Sequence, residues 1–123
     1  IKKDNFDINR AGIFRYGIFT HEKENSSGQG TVGGNFFVAM PNGANTTAVA
    51  GTLMHEFGHT LMLGHGGRLA KELAFDNTHF KPNYRSIMNY YFQLTGIPRN
   101  TPAGILYDLD YSDENLGILD ENA

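Results

Sequence analysis

TTAVAGTLMHEFGHTLMLGHGG, residues 46–67, is the stretch on which the reading of this 123-residue chain turns. Three of the chain's five histidines fall in it, at positions 55, 59 and 65. His55 and His59 stand four residues apart, so on a helix they leave one face about a turn from each other. Two imidazoles at that spacing can grip one metal ion, and Glu56 beside the first is placed to act on a water. A catalytic zinc site takes three protein ligands and keeps one position open. His65 is the third only if the helix stops soon after His59 and the chain turns back. Gly64 and Gly66-Gly67 offer the backbone freedom for that turn.

Upstream, Asn45, Thr46 or Thr47 can cap the helix by accepting from its free amides. Val49, Leu53, Phe57 and Leu61 recur every four residues, which predicts an apolar face packed on a sheet. The polar ligands lie outside that stripe, as a rigid metal platform requires. Gly58 inside the helix costs about 1 kcal/mol against Ala, a cost that close packing would explain. His-Glu-x-x-His alone has a real rate of chance occurrence. His65 and the stretch Ser86-Ile87-Met88-Asn89-Tyr90 make chance a poor explanation.

Those residues together resemble the metzincin clan of zinc endopeptidases, in which His-Glu-x-x-His is followed by a third His and a Met-containing turn. His55, His59 and His65 match the clan's ligands and Glu56 its general base. Ser86 to Tyr90 is similar to the Met-turn, with a Tyr two places after Met88 as in the astacin and serralysin branches. The resemblance implies that Met88 forms an apolar floor beneath the imidazoles, a role its flexible thioether suits. It implies that Tyr90 can ligate the resting metal and then swing to hydrogen-bond the oxyanion. A plain core Met and a buried Tyr with a satisfied hydroxyl are the bland readings. One position departs: Met62 stands where the clan usually has Gly. A left-handed Met costs roughly 1–2 kcal/mol. A helix continuing through 62 would instead place Met62 on the metal face with His59. A strained or slightly shifted turn that still delivers His65 is the reading adopted, with a weakened or inactive site as the alternative.

Composition bounds the rest. Hydrophobic content of 40% with mixed charge predicts a single folded domain, residues 1–123. Its N-terminal subdomain is expected over about 1–64 and its C-terminal subdomain over 65–123. A net charge of −3 gives no basic footprint, so nucleic acid is not an expected partner. No apolar run reaches membrane-spanning length. The chain has no Cys, which removes disulfides, thiolate metal sites and Cys nucleophiles together. A start at Ile1 without a cleavage pattern suggests a missing leader or a fragment, and secretion is implied by the clan alone.

Along the chain, Asp4, Asn5, Asp7 and Asn9 are oxygen ligands of the kind calcium takes, yet no glycine turn or closing Glu follows. A solvated terminus is the expected reading, and Asp108 and Asp110 are read likewise as exposed carboxylates. Calcium is thus a weaker second cation beside zinc. Ala11 to Thr20 reads as a central strand, apolar on both faces. His21 follows at its solvent-facing end. Glu22 to Gly34 reads as loop, and Asn35 to Met40 as a second strand. By resemblance this strand is the exposed edge that binds substrate as an added antiparallel strand, through Asn35, Phe36, Phe37 and Val38. An ordinary core strand is the alternative. Glu72 and Asp76 are rival third ligands, less well spaced than His65, and His79 is assigned to the surface. Tyr91 to Leu94 is expected, by resemblance, to shape the pocket after the scissile bond. Thr95 to Gly104 reads as loop.

The expected architecture is α+β: a metzincin-like zincin domain with a small twisted mixed sheet, the active-site helix and an irregular C-terminal subdomain, with a cleft between. The expected protein is a monomeric zinc endopeptidase acting on protein or peptide substrates. Two readings compete with it. One is a non-catalytic zinc-binding descendant, the other a metal-free module that binds peptide on its strand edge.

Overall fold

The structure, a computed structural model, describes residues 2–67 and 76–112. Its elements in order are α1 (Lys2–Asn5), a 3-10 turn (Ile8–Arg10), β1 (Gly17–Thr20), β2 (Gly28–Gly30), β3 (Phe36–Ala39), α2 (Thr46–Thr60), β4 (Ile97–Thr101) and β5 (Gly104–Asp108). This is a small mixed α+β fold. No helix among the described residues is long and apolar enough to cross a membrane.

The first sheet has the order β1-β3-β2. β1 runs parallel to β3, with Gly17 opposite Phe36 and Thr20 opposite Ala39. β2 runs antiparallel to β3, with Gly28 opposite Val38 and Gly30 opposite Phe36. Three of the sequence expectations change here. β3 is the central strand, paired along both sides, so residues 35–38 are not an exposed edge. β2 emerges from the predicted loop and takes the edge beside α2. The expected central strand at 11–20 shrinks to Gly17–Thr20 at the opposite edge. Its first half is turn, because Asp7 accepts from the amide of Asn9 and the carbonyl of Arg10 accepts from Ile13 and Phe14. Local polar bonding thus satisfies a backbone whose apolar side chains favoured a strand.

α2 begins as predicted, with the side chain of Asn45 accepting from the amide of Ala48 at 2.8 Å. Its buried face is not the predicted one. Gly51, Thr52, His55 and Gly58 are buried, whereas Phe57 and Leu61 are 36% and 47% exposed. The helix is wedged between the sheet and the C-terminal half, and small side chains permit that close approach. A Cβ on Gly58 would collide with Sδ of Met88, which is fully buried. Phe57 keeps one edge-on contact with Phe36 of β3, at 5.9 Å between centroids.

The C-terminal half is fastened by side-chain amides. Buried Asn89 donates to the carbonyls of Lys81 and Tyr84 at 2.7 and 2.9 Å, pinning the turn around Met88. Gln93 donates to Ser27 and to Thr52 of α2, tying this turn to the first half. Tyr111 reaches the carbonyl of Met54 at 2.6 Å. β4 and β5 form an antiparallel hairpin from Ile97–Asp108 to Thr101–Gly104. The two-residue connection Pro102-Ala103 and Gly104 at φ 125° replace the loop expected over 95–104.

Candidate metal centre

His55 and His59 leave the last two turns of α2 with ring centroids 4.8 Å apart. Each has one nitrogen already committed. Nδ1 of His55 lies 3.0 Å from the carbonyl oxygen of Ile87, and Nδ1 of His59 lies 2.9 Å from that of Leu63. A carbonyl only accepts, so both Nδ1 atoms carry the proton and both Nε2 atoms present bare lone pairs. Backbone carbonyls behind metal-ligating histidines fix ring and tautomer in the same way.

The third imidazole depends on how α2 ends. The amide of Leu63 bonds back to the carbonyl of Gly58 at 3.1 Å, and that of Met62 to His59 at 3.2 Å. These two bonds form a Schellman cap, which needs a left-handed residue after the helix. Met62 fills that place with φ 70°. The departure from glycine therefore leaves the turn intact, at a cost of roughly 1–2 kcal/mol. The reversal brings the ring of His65 to 5.1 Å from His55 and 4.7 Å from His59.

One nitrogen of each ring lies within 4.8 Å of the others, and this is the one group of three or more His or acidic side chains so placed among the described residues. Both ring nitrogens of His65 are buried without a hydrogen-bond partner there. A buried, unsatisfied imidazole in a native site calls for an explanation, and a shared cation supplies one. Burial pushes His55 down to about 4 and His65 to about 4, and lowers His59 as well. The neighbouring rings push in the same direction at His55 and His65. All three are then neutral near pH 7, the form that donates a lone pair. These residues could hold a metal ion.

Asp76, the rival ligand, is engaged elsewhere. Its carboxylate accepts from the amide of Thr78 at 2.8 Å and from Nζ of Lys81 at 2.9 Å. The Thr78 hydroxyl, with Lys81 adding to it, holds that carboxyl down at about 2. Its backbone exchanges bonds with Gly66 and Gly67, at 2.7 and 3.1 Å, and Lys81 also reaches the carbonyl of Gly66. Asp76 and Lys81 therefore brace the turn that presents His65. The other rival, Glu72, lies outside the described residues. Asp108, considered for calcium, is paired with Arg99 at 2.6 Å.

Glu56 is buried and lines a cleft of about 240 Å³ with the three histidines and Tyr90. Burial pushes its carboxyl up to about 7, against a stabilising backbone bond from Gly30. β2 forms the opposite wall. A Cβ on Gly30 would run into the carbonyl oxygen of Glu56, so glycine there sets how closely the strand approaches the helix. Tyr90 lies 4.3 Å from His65 and is stacked on His55 at 5.2 Å. Burial and the charge of Glu56 raise its phenol.

The residues assigned to substrate are not brought to this cleft. Asn35 accepts from Lys2 at 2.7 Å, Phe37 lies under the ammonium of Lys23 at 4.3 Å, and Val38 is fully buried. Phe36 packs on Phe57, while Tyr91 is 69% exposed and rests on Phe92. β2 lines the cleft in their place, through Gly28, Gln29 and Gly30. Sequence reasoning also missed His79 beside His65 and Tyr90; an imidazole eleven residues before that Tyr was the available signal. Fold and site together define a small α+β protein with a cleft whose three histidines could hold a metal ion. No family model, curated protein or solved structure matches the chain.

Proposed function

We propose that this chain is a zinc-dependent endopeptidase of the metzincin kind. The observation that carries the reading is the convergence of three neutral imidazoles, two with Nδ1 anchored and the third unpartnered, beside a buried carboxyl. Three nitrogen donors with an open side suit catalytic zinc, which would supply a Lewis acid for a peptide carbonyl and acidify water in the cleft. Glu56 takes the proton from the attacking water and passes it to the leaving amine. Its raised pKa, near neutrality, suits both halves of that shuttle. The phenol of Tyr90 donates to the oxygen on which charge develops. The substrate would lie extended along β2, the edge strand that lines the cleft, held by main-chain bonding that ignores its side chains.

The test is cleavage of casein or a peptide library by wild type and Glu56→Ala, with and without a chelator. Wild type should carry about one zinc and cleave, and chelation should stop cleavage. Glu56→Ala should keep the zinc yet cleave at least ~100-fold more slowly. Full activity in Glu56→Ala would overturn the mechanism. Zinc without cleavage would favour a non-catalytic descendant, and peptide binding without metal would favour a docking module.

A further inference from the structure

The segment from Asp76 to Phe80 places two aromatic side chains beside Tyr90 at the cleft. The imidazole of His79 lies parallel to the phenol ring of Tyr90, 4.9 Å away with 7° between planes. The same phenol is also stacked on His55 at 5.2 Å and 18°. Tyr90 thus packs against a buried imidazole and an exposed one. Phe80 adds a fourth contact at 6.0 Å, and its backbone sits at φ 58°, a conformation unfavourable for a bulky side chain. The loop is held there by Asp76, whose carboxylate bonds the amide of Thr78 and whose own amide bonds Gly67.

We propose that His79 is a positioning residue: its ring clamps Tyr90 from the solvent side and holds the phenol over the histidine cluster. A Tyr that is 37% exposed would otherwise have rotamers open to water. Parallel aromatic pairs at this separation are favourable beyond simple burial. The His79 ring also lies 4.8 Å from His65, so the clamp spans a candidate ligand and the candidate oxyanion donor. The catalytic part of this inference rests on the endopeptidase reading above; the clamp itself does not.

Two experiments separate them. In peptide cleavage, His79→Ala should lower kcat by about threefold to tenfold, the worth of one aromatic pair, with KM little changed. His79→Phe, which keeps a stacking face and removes both nitrogens, should restore most of that loss. In a Tyr90→Phe background, His79→Ala should cost nothing further, since no hydroxyl remains to position. A loss that falls on KM and is not rescued by Phe would overturn the proposal in favour of direct contact with substrate. Equal losses in both backgrounds would also overturn it. The second experiment needs no activity. In metal-free protein with labelled histidine, the ring-proton signals of His79 should move when Tyr90→Leu removes the stacked ring, while those of His21 stay. Unmoved His79 signals overturn the clamp even if the chain is a protease. A chain that cleaves nothing but shows the shift refutes the protease reading and keeps the clamp.

Discussion

Met62 carries the cost of the site at the scale of one residue. Its left-handed backbone completes the cap that turns the chain toward His65, and its side chain is 44% exposed. Met62→Gly should relieve the strain, giving roughly 0.5–1 kcal/mol after glycine's greater freedom in the unfolded chain is counted. The check is a thermal melt, with a higher Tm and undiminished zinc binding expected. The strain was legible in the sequence, because only one position in the motif lacked the residue that a left-handed turn favours. Asp76 gives a second expectation. Its folded pKa, about 2, lies below the value of about 3.9 usual for an unfolded chain. Its contribution is therefore present above pH ~4 and lost as pH falls through ~2. Asp76→Asn should be less stable than wild type by about 1 kcal/mol at pH 6. Urea denaturation should show that gap closing as pH falls toward 2.

Among the elements, α2 shows what a period in the sequence does and does not reveal. Its start, its length and the shared face of His55 and His59 follow from capping and helical spacing, which are local. The buried face does not. Sequence periodicity points to Val49, Leu53, Phe57 and Leu61, but the helix is covered on two sides and closes through Gly51, Thr52 and Gly58. Gly58→Ala should thus destabilise by roughly 1–3 kcal/mol, against the gain that helix propensity alone predicts, because the new methyl meets Met88. Gly30→Ala should lose a similar amount and also weaken zinc binding, since its Cβ would push β2 away from Glu56 and His59. Chemical denaturation and a zinc titration measure the two effects. β2 itself was invisible in the sequence. Gly28-Gln29-Gly30 has no β-branched or aromatic residue, and pairing with β3 alone makes it a strand.

For the whole molecule, the three histidines converge from one continuous stretch: two come from α2 and the third from the capped turn beyond it. Metal bound only by the folded form stabilises that form by mass action, by about 4 kcal/mol when free metal is a thousandfold above Kd. Chelation should lower Tm, added zinc should restore it, and His65→Ala should bind zinc weakly and show little of either response. The mixed α+β class was legible because a strand, a long helix and a turn-rich remainder each have local signals. The order of the strands and the place of His79 depend on contacts between distant residues, which no single segment encodes. Ile87 is such a contact in one residue. It gives its carbonyl to Nδ1 of His55 and takes the carbonyl of Asp110 on its amide. A tug on the chain just past β5 is thereby transmitted across two bonds to the orientation of an imidazole. Whatever grips or tags that stretch has a lever on the geometry of the three-histidine cluster.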